Sequence, residues 1–237
     1  MASAAVDCRH EPARLAQVYA QWEQQTAASE RYALWQRPHL FAIQQRQRAV
    51  LELLRQAGMV PLSGRRILEL GCGTGGVLLE LLAAGADPAG LHGIDLLNTR
   101  VRTARERLPH LPLACGSGQR LPYPDRRFDL VLQFTVFSSI LDEAIGYTVA
   151  REMLRVLKPG GLIVWYDFWL NPVNKQTKGI RPKAIRRLFP NCRYTWQRIT
   201  LAPPLARRVA PMTWLGASLL EKLQLFNTHY LAAIRPL

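Results

Sequence analysis

The stretch that most constrains this chain is Ile67-Leu68-Glu69-Leu70-Gly71-Cys72-Gly73-Thr74-Gly75-Gly76. An apolar run feeds an acid, then a turn with glycine at every second position, then the apolar periodicity of Val77 to Leu82. The pattern predicts a buried strand, a tight loop and a helix whose first turn faces that loop. Without Cβ atoms the loop backbone can adopt φ > 0 and approach a ligand closely. The free N–H groups at the helix start point the same way. A nucleoside-cofactor site at the carboxyl end of the first strand of an open α/β sheet is the expectation.

The rest of the chain supplies the repeating units such a sheet needs. Gly90 to Leu96 reads as a second buried strand ending in Asp95, about 20 residues past the glycine loop, where a carboxylate can accept from two ribose hydroxyls. Thr99 to Leu108 reads as a helix with Arg100, Arg102, Arg105 and Arg107 on a solvated face, and Leu111 to Cys115 as a third strand. Phe128 to Phe134 is a central strand with Thr135 to Ile140 as its exit loop. Asp142 to Leu157 is a helix closed by the Lys158-Pro159-Gly160-Gly161 turn, and Leu162 to Phe168 a fifth strand. Alternation of strand and helix predicts a mostly parallel sheet covered on both faces.

Two helices, Leu15 to Ala28 and Pro38 to Gly58, precede the first strand and read as an N-terminal helical cap over residues 1–60, ahead of a domain over 61–237. Tyr19, Tyr32 and Trp35 lie on or between them. They either pack the helices down or form a lid, and Tyr32 is then the one expected to reach substrate. The tail, 169–237, reads as a specificity region. It has a polar loop (Asn171 to Pro182), a short basic helix (Lys183 to Phe189), an alternating strand (Arg193 to Ile199), an apolar helix (Trp214 to Leu225) and a last strand (Thr228 to Ile234) pairing antiparallel with Arg193 to Ile199.

Composition narrows the partners. The formal charge is +14 over 237 residues, which favours an anionic partner or a solvated Arg-rich surface. Cys8, Cys72, Cys115 and Cys192 form no CxxC pair, so neither a structural metal site nor a disulfide framework is expected. Met1 to Glu11 lacks the pattern of a secretory signal, and no apolar stretch is long enough to span a bilayer. A soluble, cytoplasmic protein is expected.

Three details give the glycine loop a family. Glu69 stands two residues before Gly71. Leu121-Pro122-Tyr123-Pro124-Asp125, with Phe128-Asp129-Leu130-Val131, follows the third strand, and Glu152-Met153-Leu154-Arg155-Val156-Leu157-Lys158-Pro159-Gly160-Gly161 precedes the fifth. This ordered set resembles the class I S-adenosylmethionine-dependent methyltransferases, bacterial small-molecule members above all, strongly over about 65–168. The resemblance implies a Rossmann-like fold with a seven-stranded, mostly parallel sheet and an antiparallel last strand. It further implies S-adenosylmethionine as cofactor, S-adenosylhomocysteine as product and no metal. Glu69 and the Gly71-Cys72-Gly73-Thr74-Gly75 loop would hold the methionine part, Asp95 and Leu96 the ribose, and Ser117 and Gly118 the adenine edge. Gln133 and Phe134 would wall the sulfonium. Two positions depart from the family: Ser117 stands where an acid is common, and Thr135 to Ser139 carries no histidine.

Methyl transfer is an in-line displacement, so the protein must chiefly align the partners and exclude water. Asp167 is the candidate base or acceptor-orienting group, with a loop cap as its alternative, and Tyr166 a positioning group. His229 and His92 read as packing or surface residues. Arg181, Lys183, Arg186 and Arg187, with Arg207 and Arg208, read as one basic group at the pocket mouth that binds phosphate or carboxylate. The Pro203-Pro204 and Trp214 region is apolar enough to touch a lipid tail, form a dimer face or join the core. The expected acceptor is a small molecule, or one linked to lipid or glycan, with peripheral membrane contact and a monomer or homodimer as further expectations. RNA or DNA methylation and a cofactor-binding subunit without activity are the alternatives; no Asn-Pro-Pro-Tyr-type motif follows the fourth strand.

Overall fold

A computed structural model describes residues 13–20, 33–170 and 176–237. Helix α1 covers 13–20 and α2 Arg37–Gln56. Then come β1 (Ile67–Leu70), α3 (Gly76–Ala83), β2 (Leu91–Asp95), α4 (Asn98–Arg107), β3 (Leu113–Cys115), β4 (Phe128–Phe134), α5 (Glu143–Val156) and β5 (Leu157–Phe168). The tail adds α6 (Pro182–Leu188), β6 (Cys192–Leu201), α7 (Pro203–Val209), α8 (Trp214–Lys222) and β7 (Asn227–Pro236). The strands form one seven-stranded sheet in the order β3-β2-β1-β4-β5-β7-β6. The pairs from β3 to β5 are parallel, and β7 runs antiparallel to both neighbours. The expected Rossmann-like class I architecture is the one observed.

Period-two alternation sends the strand residues to two separate cores. Ile67, Leu130, Leu132 and Val164 pack against Leu54 of α2, Leu78 of α3 and Val101 of α4. Leu68, Val131, Ile163 and Trp165 pack against Val149 and Met153 of α5 and Ile185 of α6. Both faces being covered explains why the central strands read as continuous apolar runs. A third, smaller cluster joins Phe41 of α2 to Ala206, Ala210 and Ala217 of the α7–α8 pair.

Two expectations are corrected here and one helix is added. Lys158 to Gly161 does not separate α5 from the fifth strand. The chain becomes extended at Leu157, which pairs with Phe128, while Leu162 pairs with Leu130. The Lys158-Pro159-Gly160-Gly161 residues are thus an irregularity inside a longer strand, with Gly160 at φ 74° turning it. Pro203–Val209, for which the sequence reading names no element, is a helix with prolines in its first turn, where their missing N–H groups cost nothing. Arg102, Arg105 and Arg107 are exposed as expected, but Arg100 is half-buried. Arg105 Nη2 donates to the Leu113 carbonyl at 2.8 Å, Arg107 Nη1 to the Thr74 carbonyl at 2.8 Å, and Arg100 lines the cavity described next. Tyr32 and the second half of the expected 15–28 helix lie outside the described residues.

Candidate active site

The glycine loop is shaped by contacts that exclude side chains. At Gly71, with φ 73°, a Cβ would meet Val136 Cγ2 at 2.3 Å. Gly75 is the left-handed N-cap of α3, and a Cβ there would meet Leu108 Cδ1 at 2.7 Å. The loop amides are already partly used: Gly71 N and Cys72 N donate to the Ile94 carbonyl at 2.8 and 3.1 Å. Gly73 N donates to Asp95 Oδ2 at 2.8 Å, while Leu97 N donates to Asp95 Oδ1 at 2.9 Å. The Asp95 carboxylate is therefore fixed by two backbone donors, and each oxygen keeps a lone pair for a further hydrogen bond.

Asp95 borders a cavity of about 280 Å3 at the carboxyl ends of β1, β2 and β4. Gly71 and Asp95 to Leu97 form one wall, Gly116 to Gln119 a second, and Phe134 to Val136 a third. Ile145 and Val149 of α5 add an apolar surface beside Gly118, where a Cβ would sit 3.1 Å from Leu70 Cδ1 and 3.3 Å from Val149 Cγ1. An apolar slot for a base beside a fixed carboxylate that can accept from ribose hydroxyls suits a nucleoside, so these residues fit the expected cofactor. Leu15, Val18 and Tyr19 of α1 close the cavity from above. The Tyr19 hydroxyl pairs with Ser139 Oγ at 3.0 Å, and the Arg100 guanidinium sits 4.3 Å from the Tyr19 ring centre.

Among the residues expected at the cofactor, Gly71, Asp95, Leu96, Ser117, Gly118 and Phe134 line the cavity. The others support it or lie elsewhere. Gln133 is fully buried beneath the turn after β4, its Oε1 accepting from Val136 N at 3.0 Å. The Thr74 hydroxyl and carbonyl accept from Arg107. Cys72 packs beside Gly93, and burial pushes its thiol up. Glu69 points to the α2 side of the sheet with Oε2 lacking a partner. Burial raises its carboxyl well above the usual range, opposed by the nearby Arg46 cation. Arg46 also bonds Glu80 and lies 5.7 and 5.9 Å from the Phe134 and Tyr166 rings.

Asp167 does not line the cavity. It is 1% exposed, with Oδ2 accepting from Ser138 N at 3.0 Å and Oδ1 from Phe168 N at 2.8 Å. Burial raises its pKa to about 6 against these bonds. Tyr166 faces the α2 side. Its hydroxyl pairs with Thr200 Oγ1 at 2.8 Å, its ring stacks on His229 at 4.5 Å, and burial pushes its pKa up to about 12. The basic group expected at one mouth is split. Arg181 caps α6 on the α5 face of the sheet, whereas Arg207 and Arg208 are exposed on α7, which packs with α2 on the other face.

Sequence reading missed Arg100 and Arg46. Arg46 had a readable signal, since it falls three residues after Ile43 and four before Val50, on the apolar stripe of α2. Among the described residues there is no cluster that could hold a metal ion, and no helix is long and apolar enough to cross a membrane.

The sequence profile of the family described as "Methyltransferase domain" matches residues 67–161, the span that builds the cavity's floor. The phthiotriol/phenolphthiotriol dimycocerosates methyltransferase 1 of Mycobacterium ulcerans is 35% identical over 129 residues, 51% of this chain and 43% of that protein. The fatty-acid O-methyltransferase of Mycolicibacterium smegmatis is 37% identical over 113 residues, 47% of this chain and 40% of that protein. The chain thus matches less than half the length of these curated relatives. A solved SAM dependent methyltransferase from Archaeoglobus fulgidus shares the fold, with a TM-score of 0.57 at 17% identity, covering 82% of this chain and 97% of that one. The profile spans the glycine loop and central strands, so residues 67–161 are similar to the methyltransferase domain family, and the chain shares the fold of solved S-adenosylmethionine-dependent methyltransferases.

Proposed function

We propose that the chain is a methyltransferase that transfers a methyl group from S-adenosylmethionine to a small or lipid-linked acceptor. The observation that carries the reading is the Asp95 carboxylate, fixed by the Gly73 amide at 2.8 Å on the wall of an apolar cavity at the strand ends. Asp95 would accept from the ribose hydroxyls, and Gly116 to Gly118 with Ile145 and Val149 would hold the base. When bound, the cofactor supplies a methyl group activated by a sulfonium.

The chain's own share is alignment and exclusion of water. Phe134 and Val136 wall the cavity, and α1 covers it through Tyr19. We assign Asp167 and Tyr166 to positioning rather than proton transfer, because backbone amides hold the first and Thr200 the second. Relatives named for fatty acids and for phthiotriol dimycocerosates support a lipid acceptor. Calorimetric titration with S-adenosylmethionine and S-adenosylhomocysteine tests the reading. The parent chain should bind both, and Asp95→Ala should lose tenfold or more in affinity, roughly the loss of a charge-assisted hydrogen bond. No binding by the parent would sink it.

A further inference from the structure

The α7–α8 connection carries an apolar stripe that faces away from the protein. Met212, Leu215, Leu219 and Leu223 are 84, 70, 54 and 60% exposed, respectively. Their spacing of three, four and four residues places them on one side of α8 and its two ends. The opposite side is the one the fold uses: Ala217 and Glu221 are buried, and Trp214 meets Phe41 edge-on at 5.2 Å. Leu225 and Phe226 extend the exposed surface past the helix. Exposed Trp35 joins it from the turn before α2, since Arg37 Nη1 donates to the Pro211 carbonyl at 2.9 Å. Contiguous exposed leucines at helical spacing are unusual on a chain that meets only water.

Charge selects the occupant. The exposed charged residues of 203–226 are Arg207, Arg208 and Lys222, all cationic. The segment's one acid, Glu221, is buried, and its Oε1 accepts from Thr200 N at 3.1 Å. An apolar stripe rimmed by arginine and lysine, on a chain of formal charge +14, suits the interface of an anionic bilayer. Position agrees. The connection leaves β6 at Leu201 and enters β7 at Asn227, and in β7 His229 pairs with Phe168, a cavity residue. The stripe therefore sits at the end of the sheet where the cavity lies.

We infer that Met212, Leu215, Leu219 and Leu223, with Arg207, Arg208 and Lys222, form a surface that docks on anionic lipid bilayers. The docked chain then holds the cavity end of its sheet at the membrane. This goes beyond the proposed activity and is read without cofactor, so the two fail separately.

The test is flotation of the full chain with vesicles of phosphatidylcholine alone or mixed with phosphatidylglycerol, with melting temperature as the check on folding. Binding to the anionic vesicles only is expected, weakened as salt rises from about 0.05 to about 0.5 M. Leu215→Ser with Leu219→Ser, and separately Arg207→Glu with Arg208→Glu, should each cut the partition coefficient by about tenfold or more. Absence of binding to anionic vesicles overturns the proposal, as does binding that the leucine substitutions leave unchanged. So does a dimer in sedimentation that those substitutions dissociate while vesicle binding persists, which would make a second copy the occupant.

Discussion

The Asp167 carboxylate accepts a hydrogen bond from the Ser138 amide at 3.0 Å, which ties the end of β5 to the turn after β4. That turn contributes Thr135, Val136, Ser138 and Ser139 to the cavity, so a fully buried acid shapes a surface it does not reach. Asp167→Ala should cost about 2 kcal/mol in chemical denaturation, because it strands buried amides, and Asp167→Asn less. The raised pKa of about 6 adds a pH signature. The folded state favours the protonated acid, so this residue's contribution is full below the unfolded value near 3.8 and is lost as pH rises through about 6. Stability of the parent relative to Asp167→Asn should fall by up to about 3 kcal/mol across that window.

Gly71→Ala should lower stability by about 2 kcal/mol or more. The left-handed φ of 73° penalises any Cβ, and the new methyl would lie 2.3 Å from Val136 Cγ2. Adding Val136→Ala should recover the clash but not the backbone penalty. Full recovery in the double variant would show that φ does not matter there.

Replacing Arg46 with methionine keeps the length of the side chain but removes the cation between Glu80 and Glu69. Uncompensated buried carboxyls result, and a loss of about 3 kcal/mol at neutral pH is expected. The loss should shrink in acid, where both carboxyls take up protons. Equal losses at pH 5 and pH 8 would refute the assignment.

His229 is held neutral, its pKa lowered to about 3 by burial and by Arg46. A depressed histidine contributes stability above the unfolded value of 6.5 that is lost as pH falls towards 3. Its share of the loss by pH 4 is up to about 3 kcal/mol. His229→Phe keeps a ring against Tyr166 and should flatten the acid limb of the stability profile. An unchanged limb would place the proton elsewhere.

Local pattern made the parallel half of the fold legible before any coordinates. The run Ile67 to Leu70, the glycines after it and Asp95 at the end of β2 each occupy the predicted place, because each is set by backbone geometry near in sequence. The antiparallel pairing of β6 with β7 was also readable from alternation. What was hidden depended on distant partners. Arginines look alike in sequence whether solvated or, like Arg100, laid over a tyrosine ring more than eighty residues away. Asp167 reads as a candidate base or acceptor-orienting group, or as a loop cap, and sequence alone does not show that the amides of 138 and 168 donate to it. Arg181 and Arg207 read as one patch because sequence gives no sign that the sheet lies between their helices.

The strand order also sets a schedule for folding. β7 lies between β5 and β6, although β6 comes first in the chain. While the ribosome is still making Asn227–Pro236, β6 has no strand to pair with in this sheet and β5 keeps an open edge. The segment after β5, with the leucine stripe between its strands, can settle only after the parallel strands that precede it. A nascent chain halted before residue 227 would present bare strand edge and an unanchored apolar helix together, the state in which a chaperone has most to hold.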